Sequence, residues 1–332
     1  MYKKIVFSVL LSVVAAAHSD NSDDCLVKKL KNSASTTTVG ELKSACTDTA
    51  IDSGEVTDHA GRVISTSKAR LLREQETQWS PYVLTAYKQN YILLYTHADG
   101  QNPIYGISGD SQFAEKDEAK FQLSVKVPLA ESGLLLKGDS LHLGFTMKSF
   151  WQIYNPSRSA PVRETDYSPE IFYTVPLNYK PNDANTAFRL GLQHESNGRA
   201  ELFSRSWNRF YTEIFYARNN YLISLRPWYR IPEVNKKSSV VSSDDDNPDI
   251  EKYMGNFELN GVVTHSDMEF SALFRNNLRS ENYGAIEMGV SFPLWRRIRG
   301  YAQYFNGYGD SLIDYNHRME RFGIGFLITD LM

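Results

Sequence analysis

From Tyr91 onward, apolar and polar residues alternate along the chain with a period of two. Over 120–129, Phe121, Leu123, Val125 and Val127 fall on one side, and Lys120, Gln122, Ser124 and Lys126 on the other. Leu141, Leu143, Phe145 and Met147 alternate in the same way with His142, Gly144, Thr146 and Lys148. Tyr221, Ile223, Leu225, Pro227, Tyr229 and Ile231 oppose Ser224, Arg226, Trp228 and Arg230. Ile286, Met288, Val290 and Phe292 repeat the theme, as do Phe322, Ile324, Phe326 and Ile328 near the end. Such a period puts each set on one face of a strand. About twelve segments of this kind follow one another, near 90–97, 119–128, 140–151, 168–177, 185–196, 206–217, 221–231, 251–263, 266–276, 283–293, 297–307 and 317–331. A tilted strand needs about 9–11 residues to cross a bilayer. Strands of soluble sandwiches average about 5–6. Most of the twelve have the longer reach.

The connections alternate as well. Long ones lie near 98–118, 152–167, 197–205, 232–250, 277–282 and 308–316. Most of those between them are tight, as at Arg218-Asn219-Asn220, His265 and Pro293 to Arg296; the link near 129–139 is longer. Long loops at one end and short turns at the other are the signature of an outer-membrane barrel. Lys126, Lys148, Arg189, Arg209, Glu213, Arg226 and Arg230 all share the face opposite the apolar one. In a soluble sandwich that face would meet water and the apolar one would be core. In a barrel it is a polar lumen, and lipid covers the outside. Strand length and loop alternation favour an all-β, antiparallel transmembrane β-barrel of about twelve strands, with both termini on the periplasmic side.

Composition sharpens this picture. The 332 residues carry a formal net charge of -3, which speaks against a nucleic-acid partner. Aromatic residues make up 13%, twenty of them Tyr, as half-buried strands require. Met1-Tyr2-Lys3-Lys4, the apolar run Ile5 to Ala17 and the small residues before His18-Ser19 read as a secretory signal over 1–19. That run is shorter than the roughly 20 residues of a spanning helix. Residues 20–80 form a polar N-terminal extension, expected to be solvated rather than a plug or peripheral segment, with a short helix near Val63 to Glu76. It holds both cysteines, Cys25 and Cys46, which are either one disulfide or two free thiols. The barrel domain is expected over 81–332, in the bacterial outer membrane.

Candidate chemistry concentrates in Gln193 to Tyr211. Along 186–196 the even, lipid-facing row ends in His194 and Ser196. In the next strand Asn208 has the same outward parity, while Arg209 and Glu213 point inward. A hairpin centred near Glu201 sets His194 opposite Asn208, where Cβ atoms come within about 4.5–5.5 Å. Serine, histidine and asparagine can serve as nucleophile, general base and orienting group. A neutral amide suits a wall where a carboxylate would sit beside hydrocarbon. The plainer reading is three polar residues in the lipid headgroup zone. No Gly-x-Ser-x-Gly elbow is present, so the common hydrolase fold is not supported.

His194-Glu195-Ser196-Asn197-Gly198-Arg199 with Ser204-Arg205-Ser206-Trp207-Asn208-Arg209 resembles the signature of the outer membrane phospholipase A family. Phe121-Gln122-Leu123-Ser124, Arg163-Glu164-Thr165, Asp245-Asp246-Asn247-Pro248-Asp249-Ile250, Tyr253-Met254-Gly255 and 307–316 resemble further family stretches, so the likeness covers about residue 80 to the C-terminus. The resemblance implies a twelve-stranded barrel that hydrolyses acyl ester bonds of phospholipids and lysophospholipids, depends on calcium and is active as a homodimer. It implies Ser196, His194 and Asn208 as the triad, and the Gly198 amide in the oxyanion hole. It implies calcium ligands at the Arg199 carbonyl, the Ser204 hydroxyl and Ser159 of the adjoining subunit, with Asp246 at a second calcium site. Glu201 stands where the family pairs an aspartate with Asp246, and Met147 where the family has a glutamine at the dimer contact. The alternative readings are a non-catalytic barrel, porin or adhesin, and a soluble secreted β-sandwich that binds carbohydrate.

Overall fold

A computed structural model describes residues 56–57, 63–64, 74, 84–100, 102, 115–131, 133–155, 162–235, 244–295, 298–329 and 331. The expected signal over 1–19, both cysteines and Ser159 lie outside these residues; for Glu201 the description extends to the backbone alone.

Twelve strands form the body of the molecule. They are β1 (Asn90–Asp99), β2 (Asp117–Glu131), β3 (Ser140–Trp151), β4 (Val162–Pro176), β5 (Asn185–Ser196) and β6 (Ser206–Arg218). They continue as β7 (Tyr221–Ile231), β8 (Phe257–His265), β9 (Met268–Asn276), β10 (Gly284–Trp295), β11 (Ile298–Tyr308) and β12 (Arg318–Thr329). Each pairs antiparallel with its sequence neighbours, and β12 returns to pair with β1 through Glu320↔Asp99 and Phe322↔His97. The sheet is thereby closed, and the edge strands of an open sheet disappear.

Burial is inverted relative to a soluble protein. On β6 and β7 the inward Glu213 is 2% exposed and Arg226 8%, whereas the outward Ile214 is 53% exposed and Tyr229 62%. Apolar side chains cover the outside because lipid replaces water there. The buried charges inside are paired. Glu213 accepts from Arg226 Nη2 at 2.8 Å, Arg189 Nη1 at 3.2 Å and Ser224 Oγ at 2.8 Å. Arg163 grips Glu118 with two bonds of 2.9 Å, while Arg321 bridges Asp310 at 2.6 Å and Glu118 at 2.8 Å. A lumen so crosslinked holds the strands in one register. Gly191 makes room for one member of it: a Cβ there would lie 2.4 Å from the Tyr211 ring, whose hydroxyl donates to Glu170 at 2.6 Å.

Two segments close in on this lumen. Before β1, Thr85–Ala86 adds a short strand beside β2, and Tyr87 stacks on Phe172 with ring centroids 4.9 Å apart. Glu74, in the extension expected to be solvated, is instead held by the inward Lys126 at 2.7 Å. At the long-loop end a one-turn helix, α1 (Ile250–Met254), drops Ile250 and Met254 into a cluster with Trp207, Trp228, Leu312 and Tyr315.

Two expected elements differ. The strand near 251–263 begins only at Phe257, because 250–254 is helical. The physical reason is local: Glu251 and Lys252 match the helix dipole and Gly255 at φ 70° stops it, while Asp249 stands at the N-cap position with its carboxylate held by the Tyr315 hydroxyl at 2.5 Å rather than by a helix N–H. The helix expected over 63–76 is also overturned at its start, where Val63–Ile64 is extended and paired with Val56–Thr57.

Candidate active site

β5 and β6 carry the candidate residues because of their register. His194 pairs with Asn208, and Ser196 with Ser206, as a hairpin centred on Glu201 requires. Both strands reverse polarity from residue to residue, so His194, Ser196 and Asn208 lie on the outward face, half-buried, among exposed Leu192, Phe210 and Ile214. His194 Nδ1 and Asn208 Oδ1 are 2.9 Å apart. Between His194 and Ser196, Glu195 turns inward and accepts from Trp207 Nε1 at 2.9 Å and Arg209 Nη2 at 2.7 Å. This inward anchor ties the end of β5 to β6 behind the outward pair. On the other side, Tyr167 of β4 pairs with Ser196.

Beyond Ser196 the chain turns through Asn197 to Arg205. Gly198 has φ 65°, a left-handed backbone that glycine adopts without strain. The buried Asn197 side chain organises the turn. Its Nδ2 donates to Glu164 Oε1 at 2.8 Å and to the Phe203 carbonyl at 2.7 Å. Its Oδ1 accepts from the Arg199 and Arg205 amides at 3.3 and 3.0 Å. Arg199 then pairs with Glu164 at 3.0 Å, and a 3-10 turn follows over Glu201–Phe203. Asn197 sits in the motif without a role assigned by sequence reasoning; its value lies in a buried amide that can donate and accept at once.

The β7–β8 connection lies against this turn. Asp246 accepts from the Ser204 hydroxyl at 2.5 Å. Asn247 Oδ1 accepts from the Ser206 amide at 3.0 Å. Arg230 holds Asp245 at 2.6 Å and so fixes where the acidic run begins. Glu233, two residues past the end of β7, accepts from Asn208 Nδ2 at 2.7 Å. Burial pushes the Glu233 carboxyl above its ordinary range, and the Asn208 N–H draws it part of the way back.

Four of the sequence-derived positions therefore come together as a set: His194, Ser196 and Asn208 on the wall, and Gly198 in the turn above them. Ser204 and Asp246 form a second pair, with the Arg199 backbone in the same turn. These are hydroxyl, carboxylate and carbonyl oxygens, the donor types a hard cation such as calcium takes. Among the described residues no three His, Cys, Asp or Glu side chains converge as a metal-binding group. The donor types fit a partly hydrated hard cation rather than an all-carboxylate cage.

The family model described as Phospholipase A1 matches residues 68–328. Phospholipase A1 of Klebsiella pneumoniae is 40% identical over 267 residues, covering 79% of this chain and 87% of that protein. Among solved structures, the Salmonella typhi outer membrane phospholipase dimer with bound calcium matches with a TM-score of 0.69 and 37% identity, over 80% of this chain and 97% of that one. An Escherichia coli outer membrane phospholipase A in which an active-site asparagine is replaced by alanine matches with a TM-score of 0.71 and 35% identity, over 81% of this chain and all of that one. The chain belongs to the phospholipase A1 family of bacterial outer-membrane β-barrel enzymes.

Proposed function

We propose that the chain is a calcium-dependent serine phospholipase that hydrolyses acyl ester bonds of phospholipids and lysophospholipids and works as a homodimer. The observation that carries this reading is the 2.9 Å contact between His194 and Asn208 on the lipid-facing wall, two residues along the strand from Ser196 on the same face. The asparagine of the Escherichia coli relative, named as active-site, supports the same role for Asn208.

The amide oxygen of Asn208 accepts the proton on His194 Nδ1, which leaves Nε2 as the basic nitrogen. Nε2 takes the proton of the Ser196 hydroxyl as Oγ attacks the acyl carbonyl. The protonated imidazole then returns that proton to the leaving alcohol, and an acyl-enzyme remains. In the second half His194 deprotonates a water, which attacks the acyl-enzyme and releases the fatty acid. The Gly198 N–H is the proposed donor to the oxyanion. Calcium, held by the Arg199 carbonyl, the Ser204 hydroxyl and Ser159 of the second subunit, would stabilise that same negative charge. Asp246, with Glu201 as its carboxylate partner, is proposed for a second calcium. The bound calcium and the dimer of the Salmonella typhi relative support these two assignments. Acyl chains stay among Leu192, Phe210 and Ile214 while the ester reaches the polar end of the strands.

The test is phospholipid hydrolysis in detergent micelles, with and without calcium, for the native chain and Ser196→Ala. Activity that needs calcium and disappears in Ser196→Ala is the expected result. A folded Ser196→Ala protein with full activity sinks the serine mechanism. A native chain inactive at every calcium concentration returns the reading to a non-catalytic barrel.

A further inference from the structure

Asn208 has two polar ends, and both are engaged. Its Oδ1 lies 2.9 Å from His194 Nδ1, and its Nδ2 donates to Glu233 Oε1 at 2.7 Å. The second contact follows from register. Ile231, the last residue of β7, pairs with Asn208. Two residues further on, Glu233 returns to the same outward face. Pro232 between them has no N–H to extend the ladder, so the chain leaves the sheet there.

A carboxamide is nearly symmetric in shape, and its two ends have opposite hydrogen-bonding character. If the amide of Asn208 turned over, its NH2 would face the imidazole. It would then favour the tautomer with the proton on Nε2, which cannot take a proton from serine. In its ionised form Glu233 accepts and never donates, and it then admits only the NH2 end. It thereby holds Oδ1 toward His194. The other titratable groups near Glu233 are Asp245, Arg230 and His194. Arg230 is itself bonded to Asp245 at 2.6 Å and to the Pro248 carbonyl at 3.2 Å.

We propose that Glu233 is a positioning residue for the hydrolytic site: it orients the Asn208 amide, and through it the His194 tautomer. This inference rests on the triad reading of Ser196, His194 and Asn208. It also accounts for how a neutral asparagine, without an aspartate's exclusive acceptor character, can set the imidazole in one state.

The experiment uses the full chain in phospholipid–detergent micelles with saturating calcium, and variants whose heat-modifiable gel migration matches the native barrel. Glu233→Ala is expected to lower kcat about tenfold or more while KM stays within about twofold, the size of effect an outer partner of a working histidine has. Glu233→Gln keeps an acceptor oxygen and is expected to lose less. Asn208→Asp places two carboxylates against each other and should be strongly impaired. Adding Glu233→Gln to Asn208→Asp lets the introduced amide donate to the introduced carboxylate, and should recover at least about tenfold over Asn208→Asp alone. A purely structural role for Glu233 does not produce that recovery. Native kcat in Glu233→Ala, or a double variant no better than Asn208→Asp, overturns the proposal. Ser196→Ala separates the two levels: if it retains full activity the triad reading fails, and if it is inactive while Glu233→Ala is native-like, only the role of Glu233 fails.

Discussion

His194 and Asn208 occupy the same register position on adjacent strands, and their facing atoms are 2.9 Å apart on the outside of the barrel. The pair is built from the periodicity of β5 and β6 alone, with the inward Glu195–Arg209 bridge behind it. A neutral partner spares this wall the cost of an ion beside hydrocarbon. Replacing Asn208 by Ala frees the imidazole to rotate and to choose either tautomer. The expected outcome is a fall in kcat of about 10- to 100-fold with KM little changed. His194→Ala, which removes the base itself, should cost about 100- to 10,000-fold. Steady-state hydrolysis in micelles measures both, and an Asn208→Ala enzyme as impaired as His194→Ala would mean that the amide does more than orient.

The wall site was legible because parity and hairpin symmetry are enough to pair residues 194 and 208. The same rule extends one strand further: with the β6–β7 turn at 219–220, residue 231 faces 208, and Glu233 follows on the same face. Nothing in the motif points to Glu233, because it lies in a loop and belongs to no short pattern. Asn197 was inside the motif, yet its role as the post around which the turn is wound depends on four hydrogen bonds formed only on folding. Helix α1 had its own local signals, the dipole-matched Glu251 and Lys252 and the stop at Gly255. They were outweighed by the strand-like alternation around them. The contact between Glu74 and Lys126 joins residues 52 positions apart. Periodicity carries no information about such a contact.

The lumen provides a stability test. Glu213, with a side chain 3% exposed, neutralises Arg226 and Arg189 at once. Glu213→Ala leaves two buried guanidinium groups without that partner. Breaking a buried pair in this way costs about 3–5 kcal/mol. The urea midpoint for loss of the heat-modifiable barrel band should fall accordingly. A midpoint within error of the native value would mean that water enters the lumen and screens the arginines.

Gly191 tests packing rather than charge. A methyl group there would meet the Tyr211 ring at 2.4 Å, so the ring must shift. Gly191→Ala should destabilise by about 1–3 kcal/mol, the usual range for overpacking. Tyr211→Leu removes the ring and should reduce the penalty in the double variant, while losing the bond to Glu170. Additive effects of the two substitutions would show that the clash is relieved elsewhere.

At the short-turn end, Asp139 shapes a turn that presents Leu134, Leu135 and Leu136 to the surroundings. Burial pushes its carboxyl up. The N–H groups of Leu136 and Leu135, the Tyr173 hydroxyl and the Gly133 N–H outweigh this and hold it well below the usual carboxylate range. The folded value is thus depressed below the unfolded value of about 3.9. Its stabilisation is present in full above that unfolded value and is lost only as the pH falls through the folded one. Amide exchange at 133–136, corrected for intrinsic rates, should stay slow from pH 7 down to about 4. Asp139→Asn puts an NH2 group among backbone donors and should speed that exchange already at pH 7. Equal protection in the two proteins would remove Asp139 as the organiser of the turn.

The proposed calcium site makes the sharpest demand on the loops. Ser204 donates to Asp246 at 2.5 Å, so a hydroxyl and a carboxylate from different connections already share one small volume. A calcium on the Ser204 oxygen would use its lone pair and leave the hydroxyl protonated, still donating to Asp246 or to water. Ser204→Ala removes one uncharged ligand. The calcium concentration for half-maximal hydrolysis should then rise about tenfold or more, while kcat at saturating calcium returns close to the native value. Asp246→Asn weakens the attraction between the loop and the ion and should raise the requirement as well, with a steeper dependence on ionic strength removed. Chelation should abolish activity in the native chain and shift sedimentation toward the monomer, because the remaining ligand is expected from the second subunit. Calcium-independent hydrolysis by the native chain would remove the calcium requirement, and an unchanged requirement in both variants would place the two ions elsewhere than at Ser204 and Asp246.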